Sequence, residues 1–174
     1  RIALASQESV LFSGTVYDNI ALGKPGATES DVIRASKIAQ ADGFIRKMPR
    51  GYDSILGQGG VNISGGQKQR ISIARALVRD ASVLILDDCS SALDAITEAK
   101  VRQGLQTAGS DKSVMLITQK IGTAMSADRI LVLNDGECVG FGGHAELLQD
   151  CETYRDIYES QIGNGKPVRV IHGR

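Results

Sequence analysis

One apolar run that ends in two acidic residues constrains the fold of this chain more than any other feature. The sequence Val-Leu-Ile-Leu at residues 83–86 is followed directly by Asp87 and Asp88. A run with no polar residue at alternate positions is typical of a strand buried in a parallel sheet. Open parallel sheets bind ligands at the carboxyl ends of their strands, where both carboxylates would then lie. Taken alone, an ordinary strand that ends in a polar turn explains the run more simply.

The other segments alternate between strand-like and helix-like patterns. Residues 2–6 and 112–118 are predicted strands, and Asn134-Asp135-Gly136 is a typical hairpin turn. Helices are predicted to begin near residues 28, 44, 64, 94, 121, 144 and 152. Residues 7–25 show mixed signals, and residues 50–63 are predicted to form a long glycine-rich loop. Strands that alternate with helices predict an α/β fold with a largely parallel sheet.

Three local patterns predict helix ends. Thr28 and Asp31 have the spacing of a capping box, and Asp94 is a good residue to cap the helix that follows it. Pro49 is expected to end a short helix, because the residue before a proline disfavours helical backbone. The apolar residues of that short helix are Phe44, Ile45 and Met48.

Composition excludes several classes of protein. The 174 residues suffice for one domain, and Lys+Arg and Asp+Glu both number 20, so neither a basic nucleic-acid binder nor an acidic disordered tail is expected. No apolar run approaches the roughly 20 residues of a membrane helix. The three cysteines lack metal-ligand spacing and are expected to be reduced thiols. The chain begins at Arg1, beside a strand, so we expect a fragment of a longer protein.

A second motif, Ile-Ser-Gly-Gly-Gln at residues 63–67, opens a strong helical pattern. Its two glycines allow the backbone to approach an oxyanion closely. The helix start would direct free N–H groups and a positive dipole end to the same place, and Ser64 would add a hydroxyl. A plain serine-capped helix is the simpler alternative.

Taken together and in order, these motifs resemble the nucleotide-binding domain of ATP-binding cassette (ABC) transporters, in the exporter branch. Residues 63–67 resemble the signature motif, residues 83–87 the Walker B strand, and residues 91–94 the D-loop. Gln7 stands where the Q-loop glutamine belongs, and residues 56–60 resemble the exporter X-loop.

The resemblance covers about residues 1–162 and implies an ABC-type P-loop ATPase domain that is incomplete. It implies a helical subdomain over about residues 28–79, which carries the signature motif, and a flexible tail over residues 163–174. No Walker A sequence is present, and we attribute this to truncation, so the fragment alone is expected to be inactive.

The resemblance also implies ATP and Mg²⁺ as ligands, with roles for individual residues. Gln7 and Asp87 would contact Mg²⁺, directly or through water. Asp94 would couple the two nucleotide sites of a dimer, and Tyr17 would lie near the helix that couples to the membrane domain. The γ-phosphate of ATP held by the opposing subunit would be bound by Ser64, Gly65, Gly66 and Gln67.

The chain departs from the family pattern at two hydrolytic positions. Asp88 stands where the family usually has Glu, and Gln119 stands where it usually has His. Asp is shorter by one C–C bond, roughly 1.5 Å, and Gln cannot become a cation. Both changes predict a site that binds ATP and hydrolyses it slowly, as in one half of a heterodimeric bacterial exporter with a competent partner subunit. The alternative is a non-hydrolysing regulatory nucleotide-binding subunit.

The resemblance further implies transmembrane domains fused N-terminally and a location on the cytoplasmic face of the plasma membrane. A nucleic-acid partner is not expected, and the exported substrate is not specified by these residues. A soluble ABC ATPase of DNA repair would need a long coiled coil between the Q-loop and signature positions, and the sequence has no heptads there. An unrelated α/β domain with chance motifs is the last alternative.

Overall fold

The computed structural model describes residues 1–89, 91–107 and 112–163, so most of the predicted tail lies outside the described residues. The strands are β1 Ile2–Ala5, β2 Gly14–Thr15, β3 Ile55–Leu56, β4 Val83–Asp87, β5 Ser113–Ile117, β6 Ile130–Asn134 and β7 Glu137–Gly142. The helices are α1 Val16–Ala21, α2 Glu29–Ile38, α3 Asp42–Ile45, α4 Gly65–Val78, α5 Ala95–Thr107, α6 Ile121–Ala124, α7 His144–Asp150 and α8 Glu152–Gln161. The chain divides into two compact units, Arg1–Ile117 and Thr118–Arg174.

The first unit contains a three-stranded parallel sheet with β4 between β1 and β5. Its strand connections are long and partly helical, as parallel pairing requires, and the predicted α/β fold is confirmed. Leu84 and Leu86 are buried on one face of β4, whereas Val83 and Ile85 on the other face are only half-buried. The predicted parallel strand is confirmed, and in the part of the chain that the structure describes only one of its faces is fully buried.

Helix α4 forms the centre of the first unit and packs on α1, α2 and β1. Seven of its residues are buried, and they lie around most of the helix rather than along one stripe: Gln69, Ile71, Ser72, Ile73, Ala74, Ala76 and Val78. A fully buried Ile or Val contributes about 1.5–3 kcal/mol to folding, so this helix anchors the elements that surround it.

Reciprocal capping boxes set the starts of three helices. The predicted box at Thr28 and Asp31 is confirmed, and Ser64 and Gln67 form another at the start of α4. Thr15 and Asp18 form a third box at the start of α1, which sequence analysis missed within its mixed segment.

Two other predictions in this unit were wrong in part. The short helix α3 ends at Ile45 and does not contain Met48, because the chain turns before Pro49 instead of at it. The segment predicted as a loop contains β3, which pairs antiparallel with β2, and two 3₁₀ turns at Gly51–Asp53 and Gln58–Gly60.

The second unit is built on the predicted hairpin, which is confirmed. Strands β6 and β7 pair antiparallel, and both Asp135 and Gly136 adopt positive φ in the turn, as a tight hairpin turn requires. Ile130 and Val132 of β6 share a small core with Leu147 and Tyr154 of the last two helices. Within the described ranges of both units, every helix is too short or too polar to span a bilayer.

Candidate nucleotide-binding site

The start of α4 presents backbone amides at the surface. Ser64 is the N-cap: its Oγ accepts from the Gln67 amide at 3.3 Å, and the Gln67 Oε1 accepts from the Ser64 amide at 3.0 Å. Ser64 and Gly65 are exposed, so the positive end of a 14-residue helix faces solvent. Because the cap engages Oε1, a ligand contact by Gln67 would use its Nε2 group.

The two glycines of this motif differ in what surrounds them. A Cβ on Gly65 would lie 3.7 Å from the Ala92 Cβ, which is an ordinary contact, whereas a Cβ on Gly66 would lie 2.9 Å from the Ala92 carbonyl oxygen. Gly66 is therefore required by the close approach of the segment that contains Ala92. Sequence analysis had attributed both glycines to the approach of an oxyanion.

The segment Ser91 to Asp94, which resembles the D-loop, thus packs directly on the start of α4. The buried Gln69 side chain also contacts this segment: its Nε2 donates to the Ser91 Oγ at 3.0 Å, and its Oε1 accepts from the Ala92 amide at 2.9 Å. Sequence analysis missed Gln69. The available signal was a polar residue in helical register with Ile73, on the buried side of α4.

The acidic strand end has unusual backbone geometry. Asp87 is the last residue of β4, and Asp88 follows with φ of 39°, in the left-handed region that Asp tolerates better than most residues. The Asp88 amide donates to the Ile117 carbonyl at 2.9 Å, and its carbonyl accepts from the Ser91 amide at 3.3 Å. The turn at Asp88 therefore links the end of β4 to the segment that packs on α4.

Asp94 caps α5, as predicted. One carboxylate oxygen accepts from the Thr97 amide at 2.9 Å and the other from the Thr97 hydroxyl at 2.7 Å. The amide hydrogen bond, followed by the hydroxyl, lowers the pKa of Asp94 below its usual value. Both oxygens are engaged locally, so the carboxylate is held ionised at the surface beside the start of α4.

Gln7 and Asp87 fit the chemistry of a Mg²⁺ site. Gln7 is exposed two residues after β1, and β1 runs parallel to β4, so both residues follow the carboxyl edge of one sheet. Mg²⁺ is held by oxygen ligands and commonly takes only one or two from the protein, with substrate phosphates and water completing the shell. No cluster of three His, Cys, Asp or Glu residues that could hold a metal occurs in the described ranges.

The two residues that depart from the family pattern lie in different units: Asp88 belongs to the first unit and Gln119 to the second. The loop of Gln119 is held by a residue that sequence analysis missed. The Gln161 side chain donates from Nε2 to the Gln119 carbonyl at 2.7 Å and accepts at Oε1 from the Ile121 amide at 2.8 Å. The end of α8 thus fixes the backbone on both sides of Lys120.

A groove beside α1 is supported by a half-buried arginine of α4. The groove is lined by Phe12, Ser13, Asp18, Asn19 and Leu22. Arg75 donates to the Asn19 carbonyl at 2.7 Å, to the Asn19 Oδ1 at 2.9 Å and to the Val10 carbonyl at 2.8 Å. Burial lowers the pKa of Arg75. Its guanidinium carbon lies over the Phe12 ring, 5.3 Å from the ring centroid.

The profile of the family described as ABC transporter matches residues 1–91, which is more than half of the chain and includes the start of α4 and the acidic strand end. The chain belongs to the ABC transporter family. It carries part of the ATP-binding domain of that family, and the predicted resemblance is confirmed.

Individual ABC proteins match along almost the whole chain. An uncharacterized ABC transporter ATP-binding protein of Bacillus subtilis, YfiB, is 53% identical over 94% of this chain. An ATP-dependent lipid A-core flippase of Desulfotalea psychrophila is 43% identical over 92%. The structure of a bacterial Atm1-family ABC exporter with ATP bound superposes with a TM-score of 0.89, at 36% identity over 92% of the chain. The chain spans 28% of the length of each of these three proteins.

Proposed function

We propose that this chain is part of the motor domain of an ABC exporter, in which ATP bound and hydrolysed at a dimer interface drives transport across the membrane. In this proposal the chain supplies its signature motif and D-loop to the site of a partner subunit. The names of the matching flippase and exporter support an export function. We expect the isolated chain to be inactive.

The observation that carries this proposal is one continuous surface, which we call the signature–D-loop surface, formed by Ser64, Gly65, Ser91, Ala92 and Asp94. All five residues are exposed, although the segments they belong to pack tightly on each other beneath the surface. Exposed amides at a helix N-terminus are suited to bind a phosphate. The exposed start of α4 at Ser64 and Gly65 carries no bulky side chain and is suited to a triphosphate that a second molecule holds, whereas the ionised Asp94 carboxylate is engaged by Thr97.

The chain's own site would bind ATP with Mg²⁺ and hydrolyse it slowly. Asp87 and Gln7 would hold the metal, which supplies charge stabilisation for the phosphates when it is bound. Asp88 would position water less well than Glu, because its carboxylate lies about 1.5 Å closer to the backbone and a misplacement of about 1 Å can cost roughly a hundredfold in rate. We therefore propose a heterodimer in which the partner subunit hydrolyses ATP at its own metal site.

The groove beside α1 would receive a helical segment of the transmembrane domains on the cytoplasmic side of the membrane. Phe12 and Leu22 are both more than half exposed and line the same groove, so together they offer apolar surface to such a segment. Tyr17, which the resemblance places near the coupling helix, lies in α1 and donates a hydrogen bond to the Ala27 carbonyl at 3.0 Å.

The test is a pair of arginine substitutions in the full-length transporter assembled with its partner. Ser64→Arg removes an N-cap and places a bulky cation on the proposed phosphate site, so it should abolish ATP hydrolysis. Thr28→Arg is the matched control, because Thr28 is also an exposed N-cap with a capping box and lies in a different helix. Equal ATPase rates in the two variants would contradict the proposed function.

The non-hydrolysing regulatory subunit is the second candidate, and the residues at positions 88 and 119 favour it for the chain's own site. Turnover of the assembled transporter at saturating ATP separates the two hypotheses. In the proposed motor, Ser64→Arg abolishes turnover whereas Asp88→Ala reduces it much less. Complete absence of turnover in the unmodified complex would favour the regulatory subunit.

A further inference from the structure

We propose that Gln69 is a positioning residue that joins the D-loop to the signature helix, so that both parts of the signature–D-loop surface act on the partner's nucleotide as one body. This inference rests on the proposed function and assigns a new role within it. Gln69 contacts neither ATP nor metal in this proposal. It acts through Ser91 and Ala92.

The side chain of Gln69 is placed for this role by α4. It is 6% exposed, although glutamine is rarely buried, and it extends from the buried side of a helix whose neighbouring turn contains Ile73. Its two amide ends serve successive residues of one segment, the Ser91 hydroxyl at 3.0 Å and the Ala92 amide at 2.9 Å. Because the side chain donates one hydrogen bond and accepts another, it fixes both the distance and the orientation of that segment relative to α4.

A second set of contacts on the same segment restricts it further. The missing side chain of Gly66 makes room for the Ala92 carbonyl oxygen, because a Cβ there would lie only 2.9 Å from it. The same Cβ would lie 3.6 Å from Cδ2 of the buried Leu93. The backbone of Ala92 is therefore held at its N–H by Gln69 and at its C=O side by the surface of Gly66. Both restraints come from the first two turns of α4.

This geometry predicts a defined consequence for catalysis. Without the amide of Gln69, the segment from Ser91 to Asp94 keeps its apolar contact and loses its polar one, so it can shift relative to the start of α4. Misplacement of a group by about 1 Å can cost on the order of a hundredfold in rate. The effect should fall on hydrolysis at the partner's site rather than on ATP binding by this chain's own site.

The experiment compares Gln69→Leu with Gln103→Leu in the full-length transporter assembled with its partner. Gln103 is an exposed glutamine within α5, so its replacement controls for the change from amide to apolar side chain. Bound nucleotide per transporter, the KM for ATP and kcat per bound nucleotide are measured for both. For Gln69→Leu we expect a ten- to hundredfold lower kcat per bound nucleotide with KM close to that of the control.

Two further variants identify the route of the effect. Ser91→Ala alone should lower kcat less than Gln69→Leu does, because it removes one of the two hydrogen bonds of Gln69 and keeps the one to the Ala92 amide. Gln69→Glu should recover part of the rate, because a carboxylate can accept from both the Ser91 hydroxyl and the Ala92 amide.

The inference is overturned if Gln69→Leu has the kcat of Gln103→Leu. It is also overturned if bound nucleotide and total rate fall in parallel, which indicates loss of folded protein only. Failure of the proposed function is recognised separately, because Ser64→Arg would then hydrolyse ATP as fast as Thr28→Arg.

Discussion

Replacing Gly66 by Ala should destabilise the chain, whereas the same replacement at Gly65 should not. On Gly66 the new methyl group would lie 2.9 Å from the Ala92 carbonyl oxygen, and on Gly65 it would lie 3.7 Å from the Ala92 Cβ. Overpacking of this kind costs about 1–3 kcal/mol. At Gly65 the loss of unfolded-state freedom should instead stabilise the chain by about 0.4–1 kcal/mol.

The two variants should therefore differ by about 1–4 kcal/mol in the free energy of unfolding. In a chain of this size about 1 kcal/mol shifts the melting temperature by 2–4 °C, so thermal unfolding followed by circular dichroism resolves the difference. Gly66→Ala should melt several degrees below the unsubstituted chain, and Gly65→Ala at or slightly above it. Equal melting temperatures for both variants would show that the Ala92 segment moves aside without cost, and the assignment of Gly66 to that contact would be refuted.

The same pair of variants separates packing from ligand binding at this motif. In the assembled transporter, Gly65→Ala should lower ATP hydrolysis although the stability of the chain is kept, because its methyl group projects onto the exposed phosphate surface. Unchanged hydrolysis in Gly65→Ala would argue against phosphate contact by the Gly65 backbone.

Three other measurements test separate features. Asp88→Glu should raise phosphate release per bound ATP in the full-length transporter, because it restores about 1.5 Å of reach, and an unchanged rate would contradict a slow site caused by Asp88. Burial, as the main cause, raises the pKa of Cys89 to about 12, so its reactive thiolate is scarce at neutral pH. Iodoacetamide should therefore modify exposed Cys138 before buried Cys89, and mass spectrometry showing early Cys89 labelling would refute this. Gln161→Leu should speed hydrogen exchange at the Ile121 amide, which loses its acceptor, and unchanged exchange would contradict the role of that side chain.

Elements whose signals are local were predictable from the sequence. The capping box at Thr28, the cap at Asp94 and the hairpin turn at Gly136 each depend on residues within four positions of one another, so the chemistry that forms them is visible in a short window. The order of strand and helix patterns then led to the parallel sheet, because a parallel pair requires a crossover connection.

Elements fixed by distant partners were not predictable in this way. The two-residue strand β3 exists because Ile55 pairs with Thr15, forty positions away in the chain. Half-burial of Ile85 likewise depends on what covers the second face of the sheet, and an apolar run alone does not show that.

The candidate site shows why a motif can be located correctly and still be interpreted incompletely. Gly65 and Gly66 are adjacent and chemically identical, so sequence analysis attributed both to the same cause, the close approach of an oxyanion. The structure gives them two, because a Cβ at the exposed Gly65 would make only an ordinary contact with the Ala92 side chain, whereas a Cβ at Gly66 would meet the Ala92 carbonyl oxygen at 2.9 Å. Gln69 lies one turn further along the side that faces the D-loop, which is why a residue outside the phosphate surface can determine how that surface is held. In this helix the exposed first residue and the residues that hold the D-loop are different ones, and substitutions of each should be separable by experiment.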